Sequence, residues 1–325
     1  MKRRHFIALT GAALAAPRVA LAQSAKTFRL GSLTPGVPLG DKSPLGIVLL
    51  KGLEQQGFVV GRNLTYDARG AAGQNAKLPE MVRAMKADRV DVIVAVGYPT
   101  AEACKVEEVP TVVAWGTGDP VATHLVDGLA RPGGSITGIS DNAVTLSTKR
   151  LDLIKQAVPN LKRLAMLWNR DDLGMSLRYE ASANSARSFG VAVQALGVRE
   201  PDDFNGVFET MNRERPDAIL MVSDSLTVLN RKRVFDYAAE HRIPGLYEYD
   251  VMAREGGLMS YGPDLKESVE RAAELVARIF KGAKPADLPF EQPTRYPFVI
   301  NLKTAKATGI ELPVNLVALA DEVIE

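Results

Sequence analysis

Two apolar runs in the N-terminal half, Val90 to Val96 and Thr111 to Trp115, read almost without alternation between polar and apolar residues. A strand with one wet face must alternate, so these strands are covered on both sides, which is the condition met by a parallel sheet between helices. The flanking sequence keeps to that plan. Phe28 to Leu33 reads as a strand, and Ser43-Pro44 opens a helix through Leu45, Val48, Leu49 and Leu53 that stops at Gly57. Serine as cap, proline in the first turn and glycine past the end are the expected boundary signals. Leu64 to Ala68 alternates as a strand, a helix runs through Leu78, Met81, Val82 and Met85, and a short helix from Ala101 to Val106 separates the two apolar runs.

The same order then recurs. A helix Leu146 to Ala157, a strand Leu161 to Trp168, a helix Ser176 to Phe189 closed by Gly190, a strand Val191 to Val198, a helix Asp203 to Arg213 and a strand Ala218 to Val222 follow in turn. The two series end alike: "VPTVVAW" with the later "GGSITG" matches "IPGLYEY" with the later "GGLMSYG". A repeated pattern at equivalent points of two βα series indicates duplication. Roughly 300 residues also exceed what one core usually serves. The expected fold class is α/β, with two doubly wound parallel-sheet lobes.

The first 22 residues stand apart. Lys2, Arg3 and Arg4 precede the short apolar run Phe6-Ile7-Ala8-Leu9, and Ala20-Leu21-Ala22 is a small-x-small cleavage site, together an export signal. The run is too short to span about 30 Å of hydrocarbon, which takes roughly 20 apolar residues. Paired Arg3-Arg4 suits the twin-arginine route, with an ordinary secretory signal as the alternative. Loss of Lys2, Arg3, Arg4 and Arg18 with no acid takes the 40 basic residues to 36, against 38 acidic. No electrostatic footprint for nucleic acid remains. Cys104 is the single thiol, which excludes an internal disulfide and a multi-cysteine zinc site. His124 and His241 sit in no metal-binding spacing, so no metal or cofactor is expected.

In an open parallel sheet, ligands bind beyond the carboxyl ends of the strands. In the first lobe those ends carry Ser32 and Thr34, Gly97 and Tyr98, and Gly116, Thr117 and Asp119; in the second they carry Asn169, Ser223, Asp224 and Ser225, and Tyr247 and Glu248. Tyr261 lies at a return crossing. Asp119, Ser223 and Asp224 precede helices or turns and read equally as caps. Tyr98 and Tyr261 are expected to line the cleft, whereas Trp115 and Trp168, among apolar neighbours, read as core. "RPGGSITGIS" and "GGLMSYGPD" read as interdomain crossings, and "KPADLPFEQPTRYPF", with a proline every four residues, is a third, either surface linker or hinge strand. The expected division is residues 23–141 plus 263–292 for the first lobe and 142–262 plus 293–325 for the second.

The ordered series "GDPVATHLVDGLARPGGSITGIS", "KRLDLIKQAVPNLKRLAMLWN", "GGLMSYGPDL", "ARIFKGAKPADLPFEQPT" and "VINLKTAKATGIELP" resembles the periplasmic substrate-binding components of ABC importers, in the branch with tryptophan- and tyrosine-binding members. The resemblance runs from the leader to the C-terminus. It implies a type I periplasmic-binding fold, two lobes joined by three crossings that close on a small molecule, working as a monomer with a membrane permease and ATPase. Asp119, Asn169, Asp224 and Tyr261 fall where that pattern places the same residue types. Arg170 stands where the family has proline, either a carboxylate-binding cation or a surface charge. On this reading a planar or amino-acid-like solute rests against Tyr98 or Tyr261, hydroxyls and helix-start amides hold its carboxylate, and Asp119 or Asp224 pairs with its ammonium. An enzyme is not expected, since GxSxG, GxGxxG and GxxxxGK[ST] are all missing. A periplasmic sensor presenting the same solute to a membrane receptor is the alternative.

Overall fold

The computed structural model describes residues 26–325. The leader and its arginine pair lie outside the described residues. β1 (Phe28–Thr34), β2 (Leu64–Gly70), β3 (Val92–Val96), β4 (Thr111–Trp115) and β5 (Ile136–Gly138) form an all-parallel sheet in the order β2-β1-β3-β4-β5. A second sheet holds seven strands, β6 (Arg163–Asn169), β7 (Ala192–Val198), β8 (Ala218–Met221), β9 (Gly245–Tyr247), β10 (Met259–Tyr261), β11 (Phe298–Asn301) and β12 (Glu322–Ile324), in the order β12-β11-β10-β9-β8-β6-β7.

Both faces of both sheets are covered, which is why the central strands do not alternate. In β3, Val92 and Val94 face α1 (Pro44–Gln55) and α10 (Leu265–Phe280), packing with Leu49, Leu53, Val269 and Val276. Ile93 points the other way, into a cluster with Val82 of α2 (Leu78–Ala87) and Cys104 of α3 (Tyr98–Val106). The second sheet repeats the arrangement. Leu164 and Met166 pack with Leu151 and Ile154 of α4 (Ala143–Ala157) and Ala183 of α5 (Leu173–Ser188), while Ala165 and Leu167 pack with Phe204 of α6 (Asp203–Arg213) and Val234 of α8 (Arg231–Glu240). Short helices α7 (Ser225–Leu229), α9 (Asp250–Arg254), α11 (Leu302–Thr308) and α12 (Val314–Val317) complete the chain.

Local signals set the start of α1 as the sequence indicates. The Ser43 side chain accepts the Gly46 amide at 3.2 Å, and Pro44 occupies the first turn, where a missing N–H costs nothing. Ser43→Ala is therefore expected to lower unfolding free energy by ~1 kcal/mol in urea titrations. A midpoint equal to that of the unaltered protein would exclude the cap as a contributor.

The edge pair β11 and β12 departs from the all-parallel expectation, the two running parallel to each other and against the other five strands. β11 runs antiparallel to β10, with Tyr261 opposite Phe298 and Met259 opposite Ile300. The reason is connectivity: β10 ends at a crossing and β11 begins at one, so both meet the crossings at the same edge and must run in opposite directions. The crossings lie together. Ser140 donates to the Glu291 carbonyl at 2.8 Å and Glu291 to that of Gly138 at 2.7 Å, so the proline-rich third segment pairs with the first like a strand instead of trailing as a free linker. Arg295, in the same segment, pairs with Asp264 at the start of α10. Although α10 lies in sequence between β10 and β11 of the second sheet, it packs on α1 and β4 of the first.

Candidate functional site

The carboxyl edges of the two sheets face each other across a cavity of about 580 Å³. Its first-lobe wall comprises Thr34 to Leu39 after β1, Pro44 and Leu45 at the start of α1, Asn75, Gly97 and Pro99 at the start of α3, and Trp115 and Gly116 after β4. Asp172, Ser223 to Ser225, Val228, Leu229 and Tyr249 to Met252 form the opposite wall, and Leu265 of α10 closes it. Most of this surface is apolar, so polar groups within it orient a ligand more than they solvate it.

The lobes touch around this space. A β-carbon on Gly36 would stand 3.3 Å from the Ser225 hydroxyl, and one on Gly73 would stand 3.6 Å from the Leu229 side chain. Near the crossings the approach is closer still: a β-carbon on Gly118 would meet the Gly174 carbonyl oxygen at 2.9 Å, and one on Gly174 would meet that of Thr117 at 2.6 Å. Glycine at both positions lets the two backbones come together.

Of the charged residues lining the cavity, Arg231 pairs with Glu255, Asp250 with Arg254, Lys266 with Glu270 and Asp264 with Arg295, which leaves Asp172 and Asp224 as the lining carboxylates in no ion pair among the described residues. Asp172 caps α5, accepting the Met175 amide at 3.1 Å, and only 2% of the residue is exposed. Burial pushes its pKa up to about 7, helped by the negative charge of Asp224 and opposed by the Met175 amide and Arg178. Asp224 caps α7, accepting from the Thr227 amide at 2.9 Å and from the Asn169 amide nitrogen at 2.6 Å. Burial raises its pKa too, against those hydrogen bonds. Two like charges beside an apolar wall leave a demand for a cation. Across the cavity Gly97 precedes α3, and its positive φ of 79° turns the chain from strand to helix. The Tyr98 N–H donates to the Gly116 carbonyl and Pro99 has no N–H, so the missing Gly97 side chain leaves the Thr100 amide without a cap. Such an end favours an anion. The Ser223 hydroxyl and the Asn75 side-chain oxygen line the cavity, buried and without hydrogen-bond partners among the described residues.

Of the strand-end residues singled out in the sequence, Thr34, Gly97, Gly116, Ser223, Asp224 and Ser225 line the cavity. The others are placed elsewhere, each with a physical reason. Ser32 points to the Tyr66 hydroxyl at 2.8 Å, and Thr117 is buried behind Gly116. Asp119 caps the turn that follows it, accepting the Val121 amide at 2.9 Å. Asn169 sits behind Asp224 and holds it. Tyr98 is the first residue of α3 and turns into a first-lobe cluster with Val113, Leu125 and Phe290, while Tyr261 packs edge-on to Phe298. Tyr247 stacks edge-on to Phe235 in the second core, and Glu248 joins a buried ionic network. Arg170 is exposed and outside the cavity wall.

Asp172, Tyr249 and Asn75 also line the cavity, although the strand-end pattern does not single them out, and so does Trp115, whose apolar neighbours indicate a core position. Trp115 packs against clusters of both lobes and also lines the cavity, so it bridges them. The sequence places the start of this helix at Ser176, whereas α5 begins at Leu173, one turn earlier, because the Asp172 side chain caps it beside the cavity. Among the described residues no cluster of side chains is arranged to hold a metal, and no helix is long and apolar enough to cross a membrane.

Comparison with known proteins agrees with this architecture. The family model described as "ABC transporter substrate binding protein" matches residues 43–324. A tyrosine-binding protein of Clostridioides difficile (strain R20291) is 25% identical over 276 residues, covering 84% of this chain and 78% of that protein. Among solved structures, an ABC domain from Streptococcus pneumonia in complex with L-Trp is similar with a TM-score of 0.82 and 24% identity, over 92% of this chain and 100% of that one. A ligand-free, open substrate-binding protein with adhesive properties from Clostridium difficile has a TM-score of 0.64 and 22% identity, over 92% and 99% of the two chains.

Proposed function

The chain belongs to the ABC transporter substrate-binding protein family, whose members are not enzymes, and from that premise we propose that it captures an aromatic amino acid or a close analogue between its lobes. The observation that carries this reading is the placement of Asp172 and Asp224 together on one wall of a mostly apolar cavity. A protonated amine is the group that two such carboxylates favour. The uncapped start of α3 on the facing lobe suits a carboxylate, and Ser223 and Asn75 offer free hydrogen-bonding atoms between them. Trp115 and Tyr249 supply aromatic surface for the body of the ligand. The tyrosine-binding relative and the L-Trp complex support the same ligand class.

Capture works by closure. Because the carboxylates stand on one lobe and the α3 start on the other, all contacts form together only when the lobes meet, so the ligand shifts the population toward that arrangement. The higher similarity to the L-Trp complex than to the open, ligand-free structure is consistent with lobes that touch at Gly36, Gly73 and Gly118. The closed form then presents the solute to a membrane permease, after export to the periplasm under the direction of the leader.

Calorimetric titration tests the ligand class. L-Tryptophan, L-tyrosine and L-phenylalanine are expected to bind and benzoate, which lacks an amine, is not; L-phenylalanine should also perturb the emission of Trp115. Tight binding of benzoate or a polyol with silence toward all three amino acids would overturn the assignment.

A further inference from the structure

Four charged side chains that the proposed ligand contacts do not use are buried where the first crossing enters the second lobe. Arg150 of α4, Arg178 of α5, Asp141 between β5 and α4, and Glu248 after β9 are each no more than 3% exposed. Arg178 donates to Glu248 at 2.6 Å and also to Asp141, and Arg150 pairs with Glu248 at 2.8 Å. Two cations and two anions leave the quartet neutral.

The partners of these four groups are backbone atoms of the cavity wall and of the crossings. Asp141 accepts the amides of Gly116 at 3.0 Å and Gly118 at 2.8 Å, both in the first-lobe loop that follows β4. Glu248 accepts the amide of Ser223 at 2.9 Å, on the second-lobe wall. Arg150 donates to the Tyr261 carbonyl at 2.8 Å, where the second crossing begins. Thus Arg178 grips, through one carboxylate each, a wall segment from either lobe. It does so within one turn of Gly174, where the two backbones approach too closely for a β-carbon to fit between them.

We propose that Arg178 is a positioning residue for capture: standing outside the cavity wall, it holds Asp141 and Glu248 in the one arrangement that keeps the walls of both lobes in their closed register. A lysine cannot replace it, because a single ammonium lacks the planar fork that reaches two carboxylates at once. The inference rests on the closure proposed above and not on the identity of the ligand.

The test measures interlobe distances by spin-label spectroscopy, with labels at Lys51→Cys in α1 and Lys232→Cys in α8, both exposed. Cys104 is buried and its thiol is pushed up to about 12 by burial, so it stays unlabelled. Without ligand, Asp141→Asn is expected to lengthen and broaden the distribution relative to the unaltered sequence, and to weaken L-tryptophan binding about tenfold, ~1.4 kcal/mol. Arg178→Lys, which preserves the charge balance if the first variant does not fold, should do the same. A lowered melting temperature with an unchanged distance distribution would assign the quartet a purely structural role and overturn the proposal. Failure of the ligand assignment reads differently, as unaltered protein whose distances do not respond to saturating L-tryptophan.

Discussion

Asp224→Asn is expected to weaken L-tryptophan and L-tyrosine binding about 30- to 1000-fold, ~2–4 kcal/mol, the range found when one partner of a buried, hydrogen-bonded charge pair is neutralised. The fold should be unaffected. Asparagine caps helices as well as aspartate does, so its side-chain oxygen can keep the Thr227 amide of α7. Its second side-chain atom becomes a donor facing the donor nitrogen of Asn169, now 2.6 Å from the carboxylate, so a rotation of Asn169 accompanies the change. Calorimetry reads the affinity and circular dichroism the fold. An affinity within threefold of the unaltered protein would remove Asp224 from the ammonium site.

Asp172 carries the second prediction, in which the sign decides the experiment. Its carboxyl titrates at about 7 in the folded chain against an ordinary 3.8, so the native state prefers the proton. Stability from that preference is complete below about pH 4 and is lost as pH rises through 7, a cost on the order of 4 kcal/mol at full ionisation. Asp172→Asn, which retains the cap on α5, should therefore melt at least ~5 °C higher than the unaltered protein at pH 8. The two should coincide near pH 4. The charged groups that act on Asp172 are Asp224 and Arg178, which pull its titration in opposite directions. An ammonium-bearing ligand favours the ionised form, so binding near pH 6 releases a proton, and affinity falls by up to about tenfold per pH unit as pH drops below 7. Equal melting of the two proteins across pH 4 to 8, or heats of binding independent of buffer ionisation, would show that Asp172 does not titrate in this range.

Much of the architecture is legible because buried parallel strands and helix boundaries are local signals. β4 spans Thr111–Trp115 and α6 Asp203–Arg213, the limits that the apolar runs and the helical spacing mark. The site is less legible. A strand end tells that a residue is near the edge of a sheet, but not which way its side chain turns: Tyr98 and Gly97 are neighbours, yet one enters the first core and the other lines the cavity. Arg150 and Arg178 lie on helices among polar residues, where an arginine ordinarily marks the wet face. They are buried because Asp141 and Glu248, 37 and 70 residues from Arg178, arrive beside them.

By itself the chain determined its two α/β series, the helix caps such as Ser43 and the segments that pass between lobes, because hydrophobic periodicity and capping act over a few residues. Tertiary structure alone decided that β11 runs against β10, that Asp172 joins Asp224 in one apolar wall, and that an arginine in the second lobe reaches an aspartate bound to the loop of the first. Those outcomes depend on contacts between residues distant in sequence, whose electrostatic and packing energies exist only once the two sheets face each other.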